Sequence, residues 1–241
     1  MCVYTVHGLL FLPVRLEDFK VKEMTDKETR SERYDRQTNE QYAELGRFVQ
    51  AFEEVVLWTR MTCLHLLPAR NGKEQQLTNI LLHHRAMTAA PLFECMRALY
   101  GETMKQEGEA IIPEEVKVIN GVLKQSASDM ELLVSRRNTL LHATWYIGYG
   151  NHETTDFSKI TSHKGKPSKD GMNYSNAIKD LDELRDLTTQ CGELRDVLSL
   201  LLAAFKVGLL KKNEGPRARY NFEKINGRWC KKKKQSKGDD G

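Results

Sequence analysis

Apolar residues recur at helical spacing in four long stretches of the chain. From Thr38 to Leu67 the positions Tyr42, Leu45, Phe48, Val49, Phe52, Val55, Val56 and Thr59 hold a period near 3.6, and Pro68 ends the run. Thr38 with Gln41 supplies a capping-box pattern at its start. A second helix is expected over about Glu74 to Tyr100, with Leu77, Ile80, Leu81, Met87, Leu92, Met96 and Leu99 inside and Gly101 closing it. Pro91 should kink or split that helix, because proline lacks the amide proton and its ring crowds the preceding turn. Pro113 with Glu114 and Glu115 marks the start of a third helix, which runs through Ile119, Leu123, Met130, Val134 and Leu141 to about Trp145. Asp180 caps a fourth, reaching about Lys212 through Leu184, Cys191, Leu194, Leu198, Leu201 and Phe205.

Between the third and fourth stretches the pattern changes. Thr144 to Tyr149 and Phe157 to His163 are rich in aromatic and β-branched residues, bounded by Gly, Asn, Lys and Pro, which predicts a small β-hairpin. The expected architecture is therefore all-α: an up-down four-helix bundle with a β-hairpin insertion at 144–179. Residues 1–37 are read as a flexible extension, 38–212 as the helical domain, and 213–241 as a basic flexible tail. Met24 offers an alternative start, so the residues before it are either a misassigned beginning or a floppy addition. The first apolar stretch, Val3 to Val14, lacks the cationic lead and small-residue cleavage site of a secretory signal.

Composition adds exclusions. With 40% hydrophobic and 29% charged residues the chain should fold rather than stay disordered. Five scattered cysteines without a CxxC pair argue for a reducing, cytoplasmic setting, against a disulfide framework and against a zinc cluster. The apolar stretch Val197 to Leu202 is too short to span a bilayer, and no phosphate-binding glycine loop is present, so neither membrane nor cofactor is expected. The net charge of +4 is unevenly spread: from Lys211 onward the balance is +7, leaving the body near −3. Lys231 to Lys234, with Arg217, Arg219 and Arg228, could hold RNA non-specifically or serve only solubility.

One stretch departs from its own pattern. Turning 100° per residue from Met130, Leu133, Val134, Leu140 and Leu141 fall within about 80°, and so does Arg137, at about −20°. Asn138 and His142 stand one turn apart on the stripe's edge, at about 80° and 120°, whereas Arg136 points about 120° the other way. A guanidinium keeps its proton and is costly to bury alone, so an anion should meet Arg137. Arg grips a phosphodiester through paired donors, His exchanges protons near neutrality, and Asn138 can orient the imidazole or a phosphate oxygen. These are the parts for metal-free RNA cleavage; the alternative is a solvated or salt-bridged pair. A second Arg-to-His spacing, Arg60 to His65, lacks the Asn and sits where its helix frays, and is read as chance.

Arg137-Asn138-x-x-x-His142, at the end of the third of four helices, resembles the R-[polar]-x-x-x-H signature of HEPN domains. The resemblance spans about Thr38 to Lys212, with its specific part in those three residues. It implies an all-α fold and, as in many members, a metal-independent endoribonuclease of stress response, toxin–antitoxin or phage defence. Two protomers would then share one cleft and leave a 2′,3′-cyclic phosphate. Arg137, His142 and Asn138 would be catalytic, RNA the substrate, a second copy the partner, and an antitoxin or regulator a further one. Where a subgroup neutralised by nucleotidyltransferase antitoxins carries Tyr two residues after the His, this chain has Thr144. The rival function is a non-catalytic HEPN-like nucleotide-, RNA- or protein-binding module. Trp145, Tyr146 and Tyr149 could stack on bases, or pack on the bundle. His83-His84 has no third ligand at metal spacing, and His84 is expected in the core.

Overall fold

A computed structural model describes residues 28–67, 76, 78–80, 82–84, 87–107, 113–148, 156–169, 171–206 and 222–231. It is mostly helical. Four long helices, α1 (Arg30–Leu66), α2 (Ala89–Glu107), α3 (Pro113–Leu141) and α4 (Leu181–Lys206), accompany five strands. These are β1 (Thr144–Tyr146), β2 (Thr161–Ser168), β3 (Gly171–Asn176), β4 (Phe222–Ile225) and β5 (Arg228–Lys231). Among the described residues no helix is long and apolar enough to cross a membrane.

The first helix begins earlier than its apolar period suggests. Thr29 is the N-cap: its hydroxyl accepts from the Glu32 amide at 3.3 Å, and the Glu32 carboxylate accepts from the Thr29 amide at 2.9 Å. Residues 30–37, assigned to the extension, are thus the first two turns of α1. They carry no apolar stripe because charge holds them, Glu28 receiving Arg36 at 2.9 Å and Arg33 at 3.4 Å. They also seat the loop before β2: the Gln37 side-chain oxygen accepts from the Phe157 amide, Gln41 donates to the Phe157 carbonyl, and Tyr34 meets the Phe157 ring edge-on at 5.1 Å. The inward face is accordingly shifted, with Gln41, Glu44, Phe48 and Phe52 buried and Tyr42, expected inside, exposed.

Pro91 does divide the second stretch. Helical backbone at 78–80 stops before residue 83, and α2 restarts at Ala89 with Pro91 in its first turn, where the missing amide proton is no loss. Gly101 does not close this helix, which continues to Glu107. His84 is exposed rather than in the core. At the fourth helix Asp180 caps as expected, its carboxylate accepting from the Glu183 amide at 2.9 Å.

Helix directions depart from simple alternation. Arg185 pairs with Glu40 and Glu44, and Arg195 with Glu54, so both chains advance together and α4 lies alongside α1 in the same direction. A strict up-down order would set them antiparallel. Hydrophobic spacing gives faces, not directions, and the break before α2 frees the chain to re-enter differently. The core between the helices holds Phe48, Phe93, Met96, Ile119, Met130 and Leu198, each at most 2% exposed.

The expected hairpin exists as β1 and β2, with Trp145 opposite Ser162, and gains a third antiparallel strand, β3, pairing Gly165 with Tyr174. The C-terminal stretch read as a flexible tail contains a second hairpin, β4–β5. Its turn, Asn226-Gly227, has both φ angles positive (49° and 84°), the signature of the twisted two-residue hairpin turn. This hairpin docks on α3. Gln125 pairs with both the amide and the carbonyl of Trp229, Arg228 reaches Asp129 at 2.8 Å, and the Trp229 ring fills the space over Gly121. Arg228 is thereby engaged in structure; Arg217, Arg219 and Lys232 to Lys234 lie outside the described residues, as do residues 1–27.

Burial sets a limit at alkaline pH. It pushes the thiols of Cys63 and Cys191 and the phenol of Tyr100 up, each to about 12. Above the ordinary thiol value of 9.0 the unfolded chain releases protons that the folded chain retains, so stability is full below that point and falls as pH rises towards about 12. Urea midpoints should decline steadily from about pH 9 to about pH 11; a flat profile would contradict the burial of these groups.

Candidate anion site at the end of the third helix

Phe52, Glu53, Val56 and Arg60 of α1, Met87, Thr88 and Ala89 at the start of α2, and Val134, Arg137 and Asn138 of α3 line a cavity of about 290 Å3. Each helix reaches it through one turn-spaced stripe: positions 52, 56 and 60 on α1, and 134, 137 and 138 on α3. Two guanidinium groups, from Arg60 and Arg137, therefore share one recess.

How Arg137 is held matters most. Its guanidinium lies 5.7 Å from the centre of the Phe52 ring. Its nearest carboxylate, Glu53, is 3.7 Å away and more than half exposed, and its contact with the Asn138 side-chain oxygen is long, at 3.4 Å. Its Nε is buried without a partner. The contrast with its neighbours is sharp. Arg136 pairs tightly with Glu183 and the Ala177 carbonyl, and Arg185, Arg195 and Arg228 each meet a carboxylate within 3.0 Å. Arg137 is positioned by an aromatic face and keeps donors unused. Arg60 spends its Nε on the Leu82 carbonyl at 3.2 Å and has no carboxylate partner among the described residues.

The three motif residues do not converge within one chain. Arg137 and Asn138 line the cavity; His142 does not, being exposed just past the end of α3 with its amide bonded to the Asn138 carbonyl at 3.2 Å. Five helical positions separate Arg137 from His142, about 7.5 Å along the axis and about 140° around it. Of the aromatics, Trp145 packs inward, its indole donating to the Leu140 carbonyl at 2.8 Å, so it is a strut rather than a stacking ring. Tyr146 is 38% exposed, and Tyr149 lies outside the described residues. Arg60 was passed over in the sequence although Phe52, Val56 and Arg60 set a cation on an apolar stripe just as Arg137 does. Among the described residues no three His, Cys, Asp or Glu side chains gather as metal ligands.

The helices that form the cavity also carry exposed apolar side chains: Leu57 is 50% and Met61 42% exposed on α1, and Leu141, at the end of α3, is 39% exposed. Comparison with known proteins returns no match, whether to family models, curated proteins or solved structures.

Proposed function

We propose that the chain is a HEPN-type, metal-independent endoribonuclease that acts as a homodimer, its reacting phosphate lying where two copies of the motif meet. The observation that carries this reading is Arg137: a guanidinium on an apolar stripe, fixed by Phe52, short of a close carboxylate and paired with Arg60 in one recess. Such a group suits a phosphodiester, which supplies two acceptor oxygens and a negative charge.

The chemistry needs a base to take the 2′-hydroxyl proton and an acid to give one to the departing 5′-oxygen. The 2′-oxygen bonds to phosphorus as the P–O5′ bond breaks, leaving a 2′,3′-cyclic phosphate and a 5′-hydroxyl. A single chain offers one His142, turned well away from Arg137 around α3. A two-fold arrangement supplies two imidazoles, and the exposed Leu57, Met61 and Leu141 on the same helices give a second copy something to cover. RNA is the partner in this reading, with stress response or phage defence the setting.

A second reading has support of its own. His142 lies off the cavity, which favours a module that grips a phosphate with Arg137 and Arg60 without cutting. Incubating the protein with RNA in EDTA separates the two: cleavage ending in cyclic phosphate supports the nuclease, and saturable binding with intact RNA supports the module.

A further inference from the structure

The sheet offers a surface that the cavity does not use. Residues opposed across a ladder share a face, as do residues two apart on one strand. The register therefore gathers Tyr146, His163, Gly165, Met172 and Tyr174 on one face. The opposite face packs on the bundle only near β1, where Ser162 and Ala177 are buried and Trp145 is anchored; along β3 both faces are exposed. Tyr174 is 71% and Met172 51% exposed, and the Tyr146 and His163 rings meet edge-on, 5.6 Å apart and inclined at 61°.

Gly165 leaves room for the Met172 side chain to lie across β2. A Cβ there would fall 2.6 Å from the Met172 methyl, which would have to move, and 3.4 Å from the Tyr174 ring. Diagonal neighbours on a sheet are about 7–8 Å apart, which sets Tyr174 one step beyond His163 along the line from Tyr146. Between Phe157 and Lys179 the sequence is rich in lysine, and Lys164 and Lys166 alternate onto the opposite face. Lys159, Lys169 and Lys179 are exposed.

We propose that this face binds single-stranded RNA, with bases stacking on Tyr174 and on Tyr146, whose ring His163 buttresses edge-on, and the phosphates meeting the exposed Lys159, Lys169 and Lys179. Ring side chains on a sheet stack two or three unpaired bases in this manner, and a basic surround attracts the backbone. Tyrosine and methionine also suit a protein partner, but the exposed lysines beside them favour a polyanion. Duplex RNA hides its bases. The face also leads to the motif: β1 begins two residues after His142, so at most about 7 Å of chain separates His142 from Thr144. The inference rests on the ribonuclease reading for its substrate, and its readout is binding alone.

The test uses the full chain and fluorescence anisotropy in EDTA, with labelled single strands of about twelve nucleotides, one RNA and one DNA. The DNA probe lacks the 2′-hydroxyl and cannot be cleaved by the proposed route. Tyr174→Ala and Tyr146→Ala should each weaken binding about 5- to 100-fold, Tyr174→Trp should retain it, and blunt duplex should compete poorly. Unchanged affinity in Tyr174→Ala, or equal competition by duplex, would overturn the platform. So would a fall in oligomeric mass with affinity intact, which would mark the face as a contact between copies. Loss of binding in Tyr174→Ala with no cleavage by any form of the protein would sink the nuclease and leave the platform standing.

Discussion

Arg137→Ala is expected to lower the rate of RNA cleavage by about 10²–10³-fold, the usual cost of removing one preorganised donor from a developing oxyanion. Arg137→Lys should recover little, because an ammonium is a point charge that cannot present two parallel donors or lie flat on Phe52. His142→Ala should cost about 10²–10⁴-fold through lost proton transfer. Both side chains are partly or wholly exposed, so melting curves should barely move. Mixing gives the sharper result. In a two-fold cleft each single variant lacks both copies of one group, whereas a mixed dimer of Arg137→Ala with His142→Ala regains one of each. Activity in the mixture above either parent is the expected outcome; cleavage that resists both substitutions would end the proposal.

Phe52→Ala should act on stability and site together. Phe52 is 3% exposed in the core, so truncation should cost about 3–5 kcal/mol in urea unfolding. It also removes the ring beneath the Arg137 guanidinium. Phe52→Leu separates the two effects: the core keeps most of its volume, with a loss of less than about 1.5 kcal/mol, while the π face is gone. If Phe52 positions Arg137, the leucine variant should remain folded yet bind single-stranded RNA more weakly at high salt than wild type. Equal salt profiles would reduce Phe52 to a core residue.

The helices were legible where apolar spacing makes them so, and the failures have physical causes. Thr38-x-x-Gln41 and Thr29-x-x-Glu32 both satisfy the capping-box pattern, and only the second caps. The two turns between them have no buried face, so no period could favour them. Asp180 and Pro113 were readable because a cap and a first-turn proline act locally. The relative direction of α1 and α4 was not, since it depends on partners such as Arg185 and Glu44, 141 positions apart. In the C-terminal stretch the Asn226-Gly227 signal was present but masked by the surrounding basic composition. At the site, the wheel put Arg137 on the apolar stripe and Arg136 off it, and Arg136 is tied to Glu183. What a single helix could not reveal was Arg60, which enters the recess from another element; that His142 leaves it was already implied by the turn of about 140° between them on the wheel.

The parallel seam between α1 and α4 has a consequence for synthesis. The apolar face of α1 is finished by residues made some 141 positions later. A ribosome adding about 5–20 residues per second leaves that face waiting on the order of ten seconds. During that interval the side of α1 that α4 covers has no permanent partner, an invitation to chaperones and to neighbouring nascent chains alike. Messages truncated before α4 should therefore yield insoluble product even though α1 to α3 are intact.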